Sequence, residues 1–206
     1  MGTLLMLSGG ADSAAALIKL LTDSDEPVFA HHVVIHDRES ATRHKAENLA
    51  CDRLVKYCRE HYRDFVFTKS LWDFPLPYFG WNLTLCAFVG ARVLRSFPAA
   101  RITRYAAGVI DEPHAFGMWK ERMEEARATF YAGLITARLD YQPEIIWPVA
   151  HMTKNEVLDF LPPEVVEMVS FCLNPIEMWG NRFRPCGKCI SCNTRKEVGR
   201  FPVGGP

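Results

Sequence analysis

Apolar residues fall along the chain in two rhythms. Short solid runs read as buried strands, and longer stretches with apolar positions three and four apart read as helices. Leu4–Leu7 is a solid run that stops at Ser8-Gly9-Gly10, and Ala11–Leu21 (ADSAAALIKLL) follows with helical composition. Val28–Ile35 (VFAHHVVI) is rich in β-branched residues and predicts a second strand, and Ser40–Tyr62 predicts a long charged helix. Asp64–Thr68 predicts a third strand, the proline- and aromatic-rich Trp72–Gly80 a loop, and Leu83–Phe97 a helix. Tyr105–Ile110, Met118–Arg138, Glu144–Val149 and Lys154–Phe160 continue as strand, helix, strand, helix. Strands separated by helices predict βαβ units: a Rossmann-like α/β fold whose mainly parallel sheet has helices on both faces. In such sheets ligands bind at the carboxyl ends of the strands, which makes the turn after the first strand a candidate site.

Composition narrows the picture. With 206 residues and 49% hydrophobic content the chain can bury one substantial core with a small appendage. Residues 1–170 are expected to form the α/β domain and residues 171–206 a small segment packed on it. Lys+Arg and Asp+Glu are both 24, so the chain as a whole lacks the basic footprint of a nucleic-acid binder. Six Lys/Arg against one Glu between Arg182 and Arg200 make a modest basic patch, read here as a solvated surface. No apolar run reaches the ~20 residues of a membrane span, and the N-terminus lacks a signal-peptide pattern, so a cytoplasmic protein is expected. Seven cysteines in such a chain point to metal binding or buried thiols rather than disulfides.

Ser8-Gly9-Gly10-Ala11-Asp12-Ser13 has the makings of a phosphate-binding turn. Glycines let the backbone come close to a ligand, and the following helix offers free N–H groups and a positive dipole end. Ser8 and Ser13 add hydroxyls. Asp12 is an odd neighbour for phosphate and fits as a helix cap or as a ligand to Mg²⁺. Neither the Gly-Lys-Ser/Thr Walker pattern nor Gly-x-Gly-x-x-Gly is present. Near the other end, Cys172 and Cys186-x-x-Cys189-x-x-Cys192 supply four thiolates at a spacing that suits a structural Zn²⁺ site, with an iron–sulfur cluster as the alternative. Cys51, Cys58 and Cys86 read as buried thiols on helices.

The first of these motifs resembles the PP-loop of the N-type ATP pyrophosphatases, which include GMP, NAD and asparagine synthetases and tRNA-modifying enzymes. Combined with Pro185-Cys186-Gly-x-Cys189-x-x-Cys192-x-x-Arg195, it resembles the 7-cyano-7-deazaguanine synthase family. Arg43-His44-x-x-Glu47, Gly80-Trp81-Asn82, Pro148-x-x-x-Met152-x-Lys154-x-Glu156 and Ser170-x-Cys172 extend the likeness over nearly the whole chain. The resemblance implies adenylation of the carboxylate of 7-carboxy-7-deazaguanine by ATP, with release of diphosphate, and capture of the adenylate by an amine to give amide or nitrile. It assigns Ser8, Gly9, Gly10, Asp12 and Ser13 to the phosphates with Mg²⁺. Arg43 and Lys154 become cationic contacts, and Asn82 a contact to a nucleobase edge or a helix cap. It also implies a homodimer.

Two segments depart from the family pattern. Where the family carries Tyr-Gly-Gln before Arg-His, this chain reads Ile35-His36-Asp37-Arg38-Glu39-Ser40-Ala41-Thr42. Where it carries Asp-x-x-x-Tyr-Pro-Asp-Cys-Arg, Asp111 answers the first Asp, but Met118-Trp119-Lys120 stands near the place of the rest. The adenylating half is therefore expected intact and the acceptor half altered. The attacking amine is ammonia or, as in divergent members linked to antiphage defence, an amine on a partner protein. An ATP-binding partner protein without catalysis is the reading from another class. A tRNA-thiolating branch would need additional catalytic cysteines that Cys51, Cys58 and Cys86 do not resemble.

Overall fold

β1 (Gly2–Met6) is buried at every position, as a strand covered on both faces must be. It pairs in parallel with β2 (Val28–His36) on one side and β4 (Ile102–Ala107) on the other. β3 (Val66–Asp73) extends the sheet beyond β2 and β5 (Glu144–Ile146) beyond β4, both in parallel, giving the order β3-β2-β1-β4-β5. The computed structural model describes residues 1–36, 41–73, 82–97, 100–110, 119–135 and 139–199. The chain winds to one side of β1 and then to the other, so the topological switch lies between β1 and β4.

Each face of the sheet has its own apolar layer. One unites the alanine-rich side of α1 (Ala11–Thr22) with Cys51, Leu54 and Cys58 of α2 (Arg43–His61). Val157 and Leu158 of α5 (Lys154–Phe160) and Val165 of α6 (Pro163–Met168) complete it. The other layer joins Ala87, Ala91 and Leu94 of α3 (Asn82–Arg95) to Ala126 and Phe130 of α4 (Trp119–Leu134), over Leu4, Met6 and Tyr105 of the sheet. The fold is the Rossmann-like parallel sheet with helices on both faces that the periodicity predicts. Among the described residues no helix is long and apolar enough to cross a membrane.

Several boundaries differ from the expected ones. β3 begins at Val66 and runs on through Trp72 and Asp73, which the loop expectation had claimed. Val66, Lys69, Leu71 and Asp73 of this edge strand are exposed, so it lacks a solid apolar run. β4 starts at Ile102 and ends at Ala107, because the backbone tolerates Thr103 and Arg104 in the strand and leaves it before Gly108. β5 covers only Glu144–Ile146. The tail holds elements that apolar rhythm did not indicate. They are α6, the antiparallel pair β6 (Ile176–Met178) and β7 (Arg182–Arg184), and α7 (Ile190–Glu197).

Candidate functional site

β1 ends at Met6, and three residues later Gly9 takes φ +80°, a left-handed conformation natural to glycine. A Cβ there would lie 2.7 Å from the Glu47 carbonyl oxygen and 3.2 Å from Cys51 Sγ, so α2 presses directly on the turn. Gly10 is the N-cap of α1 and supplies no side-chain cap, which leaves the helix amides facing outward. Ser13 is 3% exposed and organises the turn from below. Its Oγ donates to Gly10 O (3.0 Å) and accepts from the Ser8 amide (3.2 Å) and the Ser8 hydroxyl (3.0 Å). The same turn is braced on its other flank by Gly108, just beyond β4. A Cβ on Gly108 would come within 2.4 Å of Ser13 N and 2.5 Å of Asp12 C. Tight approach of β4 to the start of α1 is a requirement the motif reading missed; a glycine at a strand's carboxyl end was its only signal.

Asp12 is not a helix cap, because Gly10 occupies that position; the carboxylate lies in the first turn of α1, where the helix dipole favours it. It is gripped by Lys154, whose Nζ donates to both carboxylate oxygens at 2.6 and 2.8 Å across 142 residues of sequence. Lys154 is held for this role by a capping box. Thr153 Oγ1 accepts from the Glu156 amide (3.3 Å), and Glu156 Oε2 accepts from the Thr153 amide (2.7 Å). The Thr153 amide and hydroxyl both donate to that carboxylate, at 2.7 and 2.8 Å, and hold it below its usual range. The Lys-x-Glu spacing is thus a helix start that aims the lysine, and the glutamate's part is structural.

Arg43 opens α2 and its Nε donates to Glu47 Oε1 at 2.7 Å. The ring of its neighbour His44 lies against that of His36, tilted, with centroids 4.7 Å apart, and His36 Nδ1 lies 3.1 Å from Asp73 Oδ1. Asn82 is the first residue of α3, inside the helix rather than capping it. Gly80, Trp81, residues 37–40 and Asp111 through Met118 lie outside the described residues, so of the expected acceptor segments only His36, Ala41, Thr42 and 119–122 are described.

Two buried histidines were absent from the sequence reading. His31 Nδ1 and Nε2 lie 2.7 Å from Thr68 Oγ1 and 2.9 Å from Ser70 Oγ, and burial pulls its pKa down to about 4. His32 is also brought down to about 4, by burial first, with its hydrogen bond to Leu7 opposing. Its Nδ1 donates to Leu7 O at 2.8 Å, the last carbonyl before the turn, which also accepts from Cys51 Sγ at 3.5 Å. Burial pushes the Cys51 thiol well up and the Cys58 thiol up to about 12, so both are inert packing groups.

The four C-terminal cysteines converge. Their sulfurs all lie within 4.8 Å of one another, with close pairs at 3.4 Å (Cys189–Cys192), 3.6 Å (Cys172–Cys192) and 3.9 Å (Cys172–Cys189 and Cys186–Cys192). A tetrahedral zinc with Zn–S bonds of ~2.3 Å has sulfurs about 3.8 Å apart, so the set could bind zinc. A four-iron cluster interposes several metal atoms and needs a much wider set. Burial raises the Cys186 thiol, but the amides of Lys188 and Cys189 and neighbouring thiols outweigh it and bring it down to about 6, a value suited to a ligand thiolate. Arg195, three residues after Cys192, is buried with its guanidinium 4.5 Å over the Phe171 ring.

The cysteine segment is tied to the turn. Ser170 N donates to Gly9 O at 2.8 Å, two residues before Cys172. Thr42, which precedes α2 without capping it, donates instead to Pro175 O at 2.5 Å, and Lys45 pairs with Glu177 at 2.8 Å. The turn, the start of α2 and the cysteine cluster therefore form one connected unit.

No protein-family model matches the chain, and no curated protein matches it. Among solved structures it is similar to the U34-tRNA thiolase NcsA from Methanococcus maripaludis, which carries a 4Fe–4S cluster. That likeness has TM-score 0.52 and 17% identity over 96% of this chain and 63% of that one. It is also similar to an NH3-dependent NAD synthetase from Campylobacter jejuni, with TM-score 0.39 and 16% identity over 77% of this chain and 62% of the other. An NMN synthetase from Francisella tularensis follows, with TM-score 0.36 and 14% identity over 80% and 63%. The chain spans less than two thirds of the length of each. The likeness to the thiolase is one of fold alone. None of the three is a 7-cyano-7-deazaguanine synthase.

Proposed function

We propose that the protein is an ATP-dependent ligase that adenylates the carboxylate of 7-carboxy-7-deazaguanine and passes the acyl group to an amine. The observation that carries the adenylating half is the Ser8–Ser13 turn. It is an uncapped helix N-terminus at the switch point of a parallel sheet, with Lys154 and Asp12 paired at its rim. The free amides of α1 receive phosphate oxygens, and Ser8 and Ser13 keep the backbone in the receiving shape. Lys154 sits where an arriving polyphosphate competes for it with Asp12. Once released, the Asp12 carboxylate offers the hard-oxygen donor that Mg²⁺ prefers, and an ion held there would supply neutralising charge for the phosphates. The chain's contribution is chiefly positioning, which aligns the substrate carboxylate with the α-phosphorus.

The substrate rests on the motif resemblance, and the amine on the two departures from it. His36–Thr42 and Asp111–Arg122 differ from the family in the half that would admit ammonia, which favours a larger amine, including one on a partner protein, as the second reading. Zn²⁺ in the Cys172, Cys186, Cys189 and Cys192 set would hold the C-terminal segment, residues 171–206, against the domain. A cytoplasmic homodimer belongs to the same proposal.

The test is incubation with ATP, Mg²⁺ and 7-carboxy-7-deazaguanine, with and without ammonium, following diphosphate and product mass. Substrate-dependent diphosphate is expected. Diphosphate with a nitrile or amide supports ammonia as the amine, and diphosphate without either supports the larger amine. No diphosphate under any condition refutes the ligase reading.

A further inference from the structure

His36, His44 and Asp73 form a cluster at the carboxyl ends of β2 and β3. His36 is the last residue of β2 and pairs in register with Asp73, the last residue of β3. Its Nδ1 lies 3.1 Å from Asp73 Oδ1, the geometry of a neutral ring donating to a carboxylate and leaving Nε2 as the basic nitrogen. The His44 ring rests against it at 4.7 Å, inclined by 59°, and holds the imidazole from the α2 side. The placement is defined relative to the phosphate turn. The Glu47 carbonyl abuts Gly9, and His44 is one helical turn, about 5 Å, further along α2 toward its N-terminus. The cluster therefore stands beside the crevice, beyond the turn in the direction of the strands' carboxyl ends, where a substrate bound ahead of the phosphates extends. Half of the His36 side chain is open to solvent, so a second substrate can reach it.

We propose that His36, oriented by Asp73, is the general base that deprotonates the attacking amine. This rests on the ligase reading above and adds the residue that serves its second half. An amine at neutral pH arrives as an ammonium ion with no free electron pair. His36 Nε2 takes one proton from that nitrogen. The freed pair forms the C–N bond at the acyl carbon, the bond from that carbon to the AMP oxygen breaks, and AMP leaves with the electron pair. The second N–H proton passes to water, and His36 returns its own proton to water. Asp73 stabilises the imidazolium formed in between. His36 stands within the first stretch where the chain departs from the deazaguanine synthase pattern, so a base of its own there accounts for a changed amine site.

The experiment compares two nucleophiles on the full chain with ATP, Mg²⁺ and 7-carboxy-7-deazaguanine. Ammonium is protonated at neutral pH, whereas hydroxylamine is not and needs no base to expose its electron pair. In His36→Gln the ratio of ammonium-derived to hydroxylamine-derived product is expected to fall about 100-fold or more. Asp73→Asn should lower it by a smaller factor, and added imidazole should restore part of it in His36→Gly. An unchanged ratio in His36→Gln, with diphosphate still released, overturns this assignment and leaves the ligase reading standing. Equal loss of both products marks His36 as structural and overturns it too. No diphosphate from the unaltered chain overturns both.

Discussion

Replacing Gly108 with alanine tests the closest contact on which the site depends. The added Cβ would sit 2.4 Å from Ser13 N and 2.5 Å from Asp12 C and Ser13 Cα, where ordinary contact begins at 3.4 Å. All three are backbone atoms, so no rotamer change relieves the clash, and α1 and the end of β4 must separate by about 1 Å. Overpacking of this kind costs about 1–3 kcal/mol. For a chain of this length each kcal/mol lowers the melting temperature by about 2–4 °C, so a loss of roughly 2–12 °C is expected. Displacing the start of α1 by about 1 Å should also reduce ATP turnover on the order of 100-fold, more than the stability loss would explain. Gly10→Ala is the control for stability: its Cβ would meet Ser170 O at 3.4 Å and Ser8 Oγ at 3.5 Å, and its φ of −85° suits alanine. It should melt within about 2 °C of the unaltered chain. Thermal melts and ATP titrations on both variants decide the matter. A Gly108→Ala chain that melts and binds ATP like the original would refute the claim that β4 braces the turn.

The remaining predictions concern the lysine, the histidines and the cysteines. Lys154→Met should leave the melting temperature nearly unchanged, since a partly exposed ion pair is worth about 1 kcal/mol or less, yet lower diphosphate formation on the order of 100-fold; loss of stability with full activity would contradict it. His31 and His32 have folded pKa values of about 4, below the usual 6.5, so the unfolded chain binds more protons between those limits. Stability is therefore fully present above pH 6.5 and falls toward pH 4 by about 1.4 kcal/mol per pH unit for each ring; urea midpoints should show this slope, reduced in His32→Gln. A flat profile would show the rings to be solvated. Cys189→Ser should cost the chain its bound zinc by elemental analysis and lower the melting temperature; an unchanged metal content and melting point would remove the zinc assignment.

The elements that pattern revealed were those with a packing reason to be regular. β1 is covered on both faces and therefore solidly apolar, and α1 is alanine-rich because it lies flat on the sheet. β3 was cut short because, at the sheet's edge, Thr68–Asp73 alternates between covered and open positions. The tail was illegible as secondary structure because its three-residue strands are held by the turn at Gly180 and Asn181 and by the cysteine cluster, with exposed Ile176 and Met178 contributing no apolar rhythm. The cysteines themselves were legible by spacing, since four sulfurs that converge within 4.8 Å, three of them from one short stretch, constrain local sequence. The Asp12–Lys154 pair, the Ser170–Gly9 bond and the Thr42–Pro175 bond were not, because each joins residues that only the sheet's winding brings together.

The central claim is that this turn directs cleavage of ATP between its α- and β-phosphates. The direct measurement is phosphorus NMR of the products from ATP, Mg²⁺ and 7-carboxy-7-deazaguanine. AMP and diphosphate in equal amounts, dependent on the carboxylate substrate and lost in Lys154→Met, is the predicted result. ADP and phosphate, or the same products with the substrate omitted, would contradict it.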